Sequence, residues 1–315
     1  MRGEWAALPA FALSPTLPFA PGALLLTCAL VVYGAAAGMM DVSMNAHGVM
    51  VEARSGRPMM SGFHAWFSLG GIAGAALGGL VARMGVPVEL HFVPASACFL
   101  VAGLAAARGL LPPAVDAVPH GPAFAPLTRP LVALGVLAFC LLLCEGAVAD
   151  WTALYLRDAL RANEGLAAMG YAVFSAAMTV GRLLGDRLTA RVGPSRVVRS
   201  GSLLAAAGLA TALLSPSIVP ALTGFGAVGA GYSAIVPLIF AAAGRAGGEP
   251  AGRGLAAVST AGYFGFLVGP PLIGFLAGAF TLRAALWLLC GLTLAGAILA
   301  RSVDADRIAI LPARR

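Results

Sequence analysis

The chain has 315 residues, of which 60% are apolar and only 10% charged, against about 25% charged in a typical soluble domain. That excludes an ordinary water-soluble protein, and the 41 glycines and 21 prolines do not signal disorder, because they sit among long Ala, Leu and Val runs. The formal charge of +7 rests on arginines alone, with no lysine, scattered singly between apolar segments, which excludes a nucleic-acid surface of gathered basic and aromatic residues.

A membrane-crossing helix needs roughly 20 apolar residues. The first candidate, residues 5–20, is weak: Pro9 interrupts it and Glu4 precedes it, which also argues against a cleaved signal peptide. Nine stronger stretches follow, near 22–47, 60–82, 89–111, 131–156, 166–184, 200–215, 218–243, 254–279 and 282–300. Uninterrupted apolar runs of this length exclude the alternating pattern of barrel strands. The expected fold is therefore all-α, a polytopic membrane bundle of about ten transmembrane helices. Cys28, Cys98, Cys140, Cys144 and Cys290 lie inside these stretches and form no Cys-x-x-Cys pair, so they are expected to be free buried thiols rather than a metal or redox site.

Short cytoplasmic loops retain arginine. With the first residue inside, sixteen of the twenty arginines fall on inner segments, and only Arg83, Arg157, Arg161 and Arg283 fall outside. The expectation is a multi-pass protein of a bacterial cytoplasmic membrane with both termini cytoplasmic.

Repeated halves are common in transporters. Leu13–Pro18 resembles Leu214–Pro220, and Gly74–Leu80 resembles Gly269–Phe275, at offsets near 200 residues. The counterpart of the second half's opening at Arg129 would then lie roughly 70 residues before Met1, so two helices of the first half are expected to be missing. The domain reading is a truncated N-terminal transmembrane half over 1–111, a proline-rich cytoplasmic linker over 112–128, and a C-terminal half of six helices and a short tail over 129–315.

Ionisable groups at bilayer depth are costly and, where retained, face a cavity or a partner. Asp41, Asn45, Gly48 and Glu52 recur at helical spacing on one face. Across the turn at Arg54–Arg57, His64 lies at a depth comparable to Asp41, with Ser61 and Ser68 on its stripe. An Asp and a His so placed could exchange a proton or bind a polar solute, whereas Glu52 reads as a water-interface residue. Glu145 sits mid-span, and Asp150, five residues on, points about 140° away, so the two cannot form one acid–base pair. Trp151 and Tyr155 are expected in an outer aromatic belt. Gly70, Gly74 and Gly78 form a ridge suited to a neighbouring helix, and Pro237, Pro270 and Pro271 would loosen their spans. The most specific pattern is Gly181–Arg196, an expected inner loop containing Gly181, Arg182, Gly185, Asp186, Arg187 and Arg191. Its glycines permit close approach, and Asp186 can pair with arginines or with a helix N-terminus to latch the inner face.

The loop pattern, the repeat and the inside termini together resemble the major facilitator superfamily of secondary transporters. Gly181–Arg196 is similar to its signature between the second and third helices of each half, which implies a conformational latch. Gly34–Asn45, a Gly-rich run leading to an acid with Asn four residues later, resembles the fourth helix of the fucose-permease-like group. That resemblance implies proton coupling and sugar recognition by Asp41, with Asn45 as its neighbour. Gly56–His64 followed by Ser68–Gly71 is similar to a subgroup of bacterial permeases of unknown solute. The chain departs from the sugar permeases in having Ala46 where they have Pro.

The expected function is a secondary active transporter of a small polar solute, a sugar being the implied class, coupled to protons and working by alternating access. Asp41, Asn45, His64 and Glu145 are the substrate and coupling candidates, and the six residues of the 181–196 segment are the gating set. A drug exporter and a non-transporting remnant are the alternatives. No Gly-x-Gly-Asp, His-Glu-x-x-His or Gly-x-Ser-x-Gly pattern occurs, so an intramembrane enzyme is not expected. No cofactor or metal is expected. The expected partners are the solute, protons and membrane lipid, with no nucleic acid, and the chain is expected to be a monomer.

Overall fold

A computed structural model describes residues 14–111, 129–246 and 251–304. The linker at 112–128, the first part of the weak segment at 5–20, and Arg307, Arg314 and Arg315 lie outside the described residues.

All regular structure among the described residues is helical. After a 3₁₀ turn at Ser14–Phe19 come α1 (Ala23–Ser55), α2 (Met60–Arg83), α3 (Val88–Ala107), α4 (Arg129–Leu160), α5 (Glu164–Val192) and α6 (Pro194–Leu214). Then follow α7 (Ile218–Tyr232), α8 (Ile235–Arg245), α9 (Ala251–Ala279) and α10 (Leu282–Leu299), with a closing 3₁₀ turn at Ala300–Val303. With α7 and α8 taken as one broken span, nine helices among the described residues are long and apolar enough to cross a membrane. The all-α expectation therefore holds.

Helix boundaries follow local chemistry. The Asn163 side chain caps α5 by accepting from Leu166 N at 2.9 Å, and Thr281 caps α10 through Ala284 N at 3.1 Å. Gly193, at φ +87°, ends α5, and Pro194 opens α6, where a missing N–H costs nothing. One expectation fails here. Gly181–Val192 is not a loop but the last three turns of α5: Gly181 and Gly185 keep helical backbone, and the helix ends only at Gly193, which takes a positive φ before Pro194. The six residues expected to form the gate therefore all lie on this one helix, spread around it rather than along a single face. Pro237 has the effect expected of it: it cannot donate to Ser233, and the span breaks there, at Ser233–Ala234, between α7 and α8. Pro270 and Pro271 leave α9 continuous.

The contacts divide the chain into two units. One comprises residues 1–51 and 69–121, the other residues 52–68 and 122–315. In the first, α3 packs on the opening 3₁₀ turn, where the Ser14 and Ser96 hydroxyls hydrogen-bond at 2.5 Å. Cys28 and Cys98 are exposed on their helices, contrary to the buried-thiol expectation, because apolar side chains of a span are stable facing lipid as well as core. The Gly70–Gly74 ridge is likewise not a packing seam: among the described residues, no atom lies within 4 Å of where a methyl group would stand at Gly70 or Gly74, and only Gly78 faces a neighbour, His91.

In the second unit α9 lies along α4, α7 against α5 and α6, and α10 against α6 and α4. Backbones approach closely between α6 and α7, where a side chain at Gly208 or Gly224 would collide with the facing backbone, and between α5 and α7, where one at Gly229 would collide with Phe174. Tyr155 is not an interface aromatic but fully buried, its hydroxyl donating to Ala212 O at 3.0 Å. Trp151 also turns inward, its Nε1 donating to Pro270 O at 3.1 Å. A ring with one polar atom is well placed in a core that supplies the acceptor.

Candidate functional site

Five helices contribute to a cluster of charged and polar groups inside the second unit: the end of α1, the start of α2, the middle of α4, the C-terminal half of α5, and the end of α8. The turn between α1 and α2 needs Gly56 in the left-handed region, at φ +67°. It returns the chain so that Glu52, near the end of α1, faces the first N–H groups of α2. Glu52 Oε2 accepts from Met59 N at 2.8 Å and from Met60 N at 3.0 Å, satisfying donors that a helix start leaves orphaned. Its Oε1 meets Arg245 Nη1, at the end of α8, at 2.7 Å. Glu52 is thus a buried tie between two helices rather than a water-interface residue.

Asp186 continues the same logic. Its Oδ1 accepts from Ser61 N at 2.9 Å and its Oδ2 from Gly62 N at 2.7 Å. A carboxylate at the N-terminus of α2 meets both free donors and the positive end of the helix dipole. Gly185, the preceding residue, lies so close to Ser61 that any side chain would overlap its hydroxyl, and Gly181, one turn earlier, is equally tight against Ser233 at the α7–α8 break. These glycines let α5 approach both elements.

One turn before Asp186, Arg182 reaches two partners. Its Nη1 donates to Ser68 Oγ at 2.5 Å, and its Nη2 stands 3.8 Å from Glu145 Oε1 on α4. The side chains of the pair are only 9% and 20% exposed, so neither charge is left to water. Ser68 Oγ in turn donates to His64 O at 3.1 Å, and His64 Nδ1 donates to Met60 O at 3.0 Å while its ring tilts against Phe240 at 6.0 Å. Among the described residues, Arg182 Nε and the Ser61 hydroxyl have no hydrogen-bond partner. Buried donors of this kind suit a site that binds water or solute.

Of the expected site residues, Glu145 and Arg182 form an ion pair, and His64 joins them through the α2 backbone and Ser68. Gly181 and Gly185, four residues apart, lie on one face of α5, and Asp186 lies one turn after Arg182. Arg187 is exposed and lines, with Arg57, Phe63 and Trp66, a cavity of about 400 Å³ beside Asp186. Arg191 is exposed and has no ion-pair partner among the described residues. Asp41 and Asn45 belong to the other unit, where Asn45, 4% exposed, donates to Asp41 O at 2.9 Å and to Asp41 Oδ2 at 3.1 Å. Asp150 is exposed. The residue that sequence reasoning missed is Arg245, counted there only as a topogenic charge. Its partner lies 193 residues away, and no spacing rule links the two. Among the described residues no group of His, Cys, Asp and Glu could hold a metal ion.

The Major Facilitator Superfamily model matches residues 151–309. An uncharacterised MFS-type transporter of Yersinia pestis is 40% identical over 276 residues, covering 87% of this chain and 71% of that protein. Among solved structures, an MFS transporter, FucP, in the outward conformation superposes with a TM-score of 0.77 at 18% identity, covering 96% of this chain and 81% of FucP. A second FucP structure, described as the E. coli fucose:proton symporter, superposes with a TM-score of 0.74 at 17% identity, covering 96% and 82%. At these identities the structural likeness carries the fold alone.

Proposed function

The chain belongs to the major facilitator superfamily of membrane transporters, and from that premise we propose that it is a proton-linked carrier of a small polar solute whose inner gate is the α2–α5–α8 cluster. The observation that carries the proposal is the position of Arg182. The guanidinium is held on one side by Glu145, a carboxylate at bilayer depth, and on the other by Ser68 of α2, one helical turn from the Asp186 contact with the start of α2. A buried ion pair is stable only while both partners are charged. Protonation of Glu145 leaves Arg182 uncompensated, and the gain is recovered when α5 moves and the guanidinium finds water. Because Arg182 and Asp186 share a helix face, that movement also draws Asp186 from the α2 amides. Proton binding at Glu145 thereby biases the gate, as a two-state transporter requires.

The gate is tested without knowledge of the solute. Spin labels at Phe63 and Ala190, both on the 400 Å³ cavity, report the α2–α5 distance in lipid nanodiscs. Acidification is expected to lengthen it in the wild type, and Glu145→Gln to give the long distance at every pH. A wild-type distance that ignores pH, or a Glu145→Gln variant that still follows it, removes the proposal. In the first unit, Asp41 hydrogen-bonded by Asn45 is the proposed solute and coupling acid. FucP's description as a fucose:proton symporter makes a sugar the first solute class to try. In proteoliposomes, fucose-driven proton uptake that vanishes in Asp41→Asn supports that assignment, and coupling unchanged in this variant refutes it.

A further inference from the structure

In the second unit a cavity of about 850 Å³, lined by none of the gate residues, lies between the start of α6, the end of α10 and the closing 3₁₀ turn. We propose that it is a binding site for one anionic phospholipid, with the phosphate held by Arg196, Arg199 and Arg301 and an acyl chain lying along Leu203, Leu294 and Ile298.

Three features support this occupant. Charge comes first: the lining includes three arginines and no carboxylate, and among the described residues none of the three forms an ion pair. Arginine suits phosphate because its planar fork can donate two parallel hydrogen bonds. Secondly, the cavity lies at the N-terminus of α6, which no side chain caps, so the positive end of the helix dipole and its orphan N–H groups add to the field. The third feature separates a lipid from a soluble anion or an acidic peptide. The wall that continues from the arginines is apolar and faces outward, with Leu203 47%, Leu294 45% and Ile298 82% exposed. Leu203 lies seven residues after Arg196, and Leu294 seven before Arg301. At 1.5 Å per residue, each helix runs roughly 10 Å from the headgroup level to that wall, into the depth of the first acyl methylenes. Basic pockets between spans at the arginine-rich membrane face are a recurrent way of holding such headgroups. The inference needs the helices to span a membrane but does not depend on the solute, on Glu145 or on Asp41.

The test is retention of lipid by the detergent-purified chain, read by native mass spectrometry after equimolar phosphatidylglycerol and phosphatidylcholine are offered together. The wild type is expected to keep phosphatidylglycerol in preference. Arg196→Gln with Arg301→Gln should lower that retention about 30-fold, the loss expected when two interfacial arginines are removed. Arg54→Gln with Arg108→Gln removes the same charge elsewhere and should leave retention unchanged. If the first pair lowers the yield of folded chain, Arg199→Gln alone, a single exposed change, should still reduce retention several-fold. Equal loss in both double variants, equal retention of the two lipids, or complete displacement of phosphatidylglycerol by millimolar inorganic phosphate would each overturn the proposal, the last by assigning the site to free phosphate.

Discussion

Glu52 does two jobs with two oxygens, and the difference predicts unequal mutant costs. Arg245→Ala removes one partly exposed ion pair, about 0.2–1 kcal/mol, while Glu52→Ala also strips the acceptor from Met59 N and Met60 N, leaving a helix start unsatisfied at about 1–3 kcal/mol more. Thermal unfolding in detergent should therefore rank Glu52→Ala well below Arg245→Ala, and the double variant should fall close to Glu52→Ala alone. Equal single-variant effects would show that the backbone bonds contribute little. Part of this was legible in the sequence. The spacing Asp41, Asn45, Glu52 is a true helix face, and Asn45 does bond Asp41. A spacing rule holds along one helix, however, and says nothing about what another helix brings opposite. Glu52 therefore read as a solvated end, and Arg245 did not enter the site at all. Glu145 was legible for the opposite reason: a carboxylate at mid-span must have a partner, although which arginine supplies it depends on packing.

Gly185 on α5 and Ser61 on α2 set how closely the two helices approach. Gly185→Ala would put a methyl group onto the Ser61 side chain, and overpacking of this kind costs about 1–3 kcal/mol. The clamp should loosen, seen as a longer Phe63–Ala190 distance at neutral pH. Ser61→Gly, which removes the side chain in the way, should restore much of the wild-type distance in the double variant. A Gly185→Ala chain with an unaltered distance would mean that the two helices are not held by contact at this point. The long apolar spans were legible because lipid demands about 20 apolar residues and internal backbone hydrogen bonding. The boundary after Arg182 was not: arginine density suggested a loop, yet helix propensity is high for Arg, Leu and Ala, and α5 runs on to Gly193. The inward turn of Trp151 and Tyr155 was equally hidden, since the same residues serve in a membrane interface and in a core with an acceptor to offer.

For the whole molecule, the distribution of charge sets a direction that the helices themselves do not. Sixteen of the twenty arginines fall, in the alternation of spans read from the sequence, on one side, in connections or helix ends, and retention of arginine on the cytoplasmic side predicts which face that is. The geometry of α6 allows a direct measurement: its 21 residues extend about 31 Å at 1.5 Å per residue, the thickness of the hydrocarbon. Its two ends must therefore lie at opposite faces. In a chain with its five cysteines replaced by alanine, Ser217→Cys, exposed beyond the end of α6, should react with an impermeant maleimide in intact spheroplasts. Ser195→Cys, in the first turn of α6, should react only after permeabilisation. The reverse pattern would keep the fold and invert the orientation, and with it would move the Asp186–α2 gate to the outer face. Labelling of both sites from outside would be incompatible with α6 as a span. The two outcomes bear differently on transport, because inversion would leave Glu145 at mid-span and still able to take up a proton, but from the opposite side of the gate. Vesicle experiments on proton coupling therefore acquire a sign only once this labelling has been done.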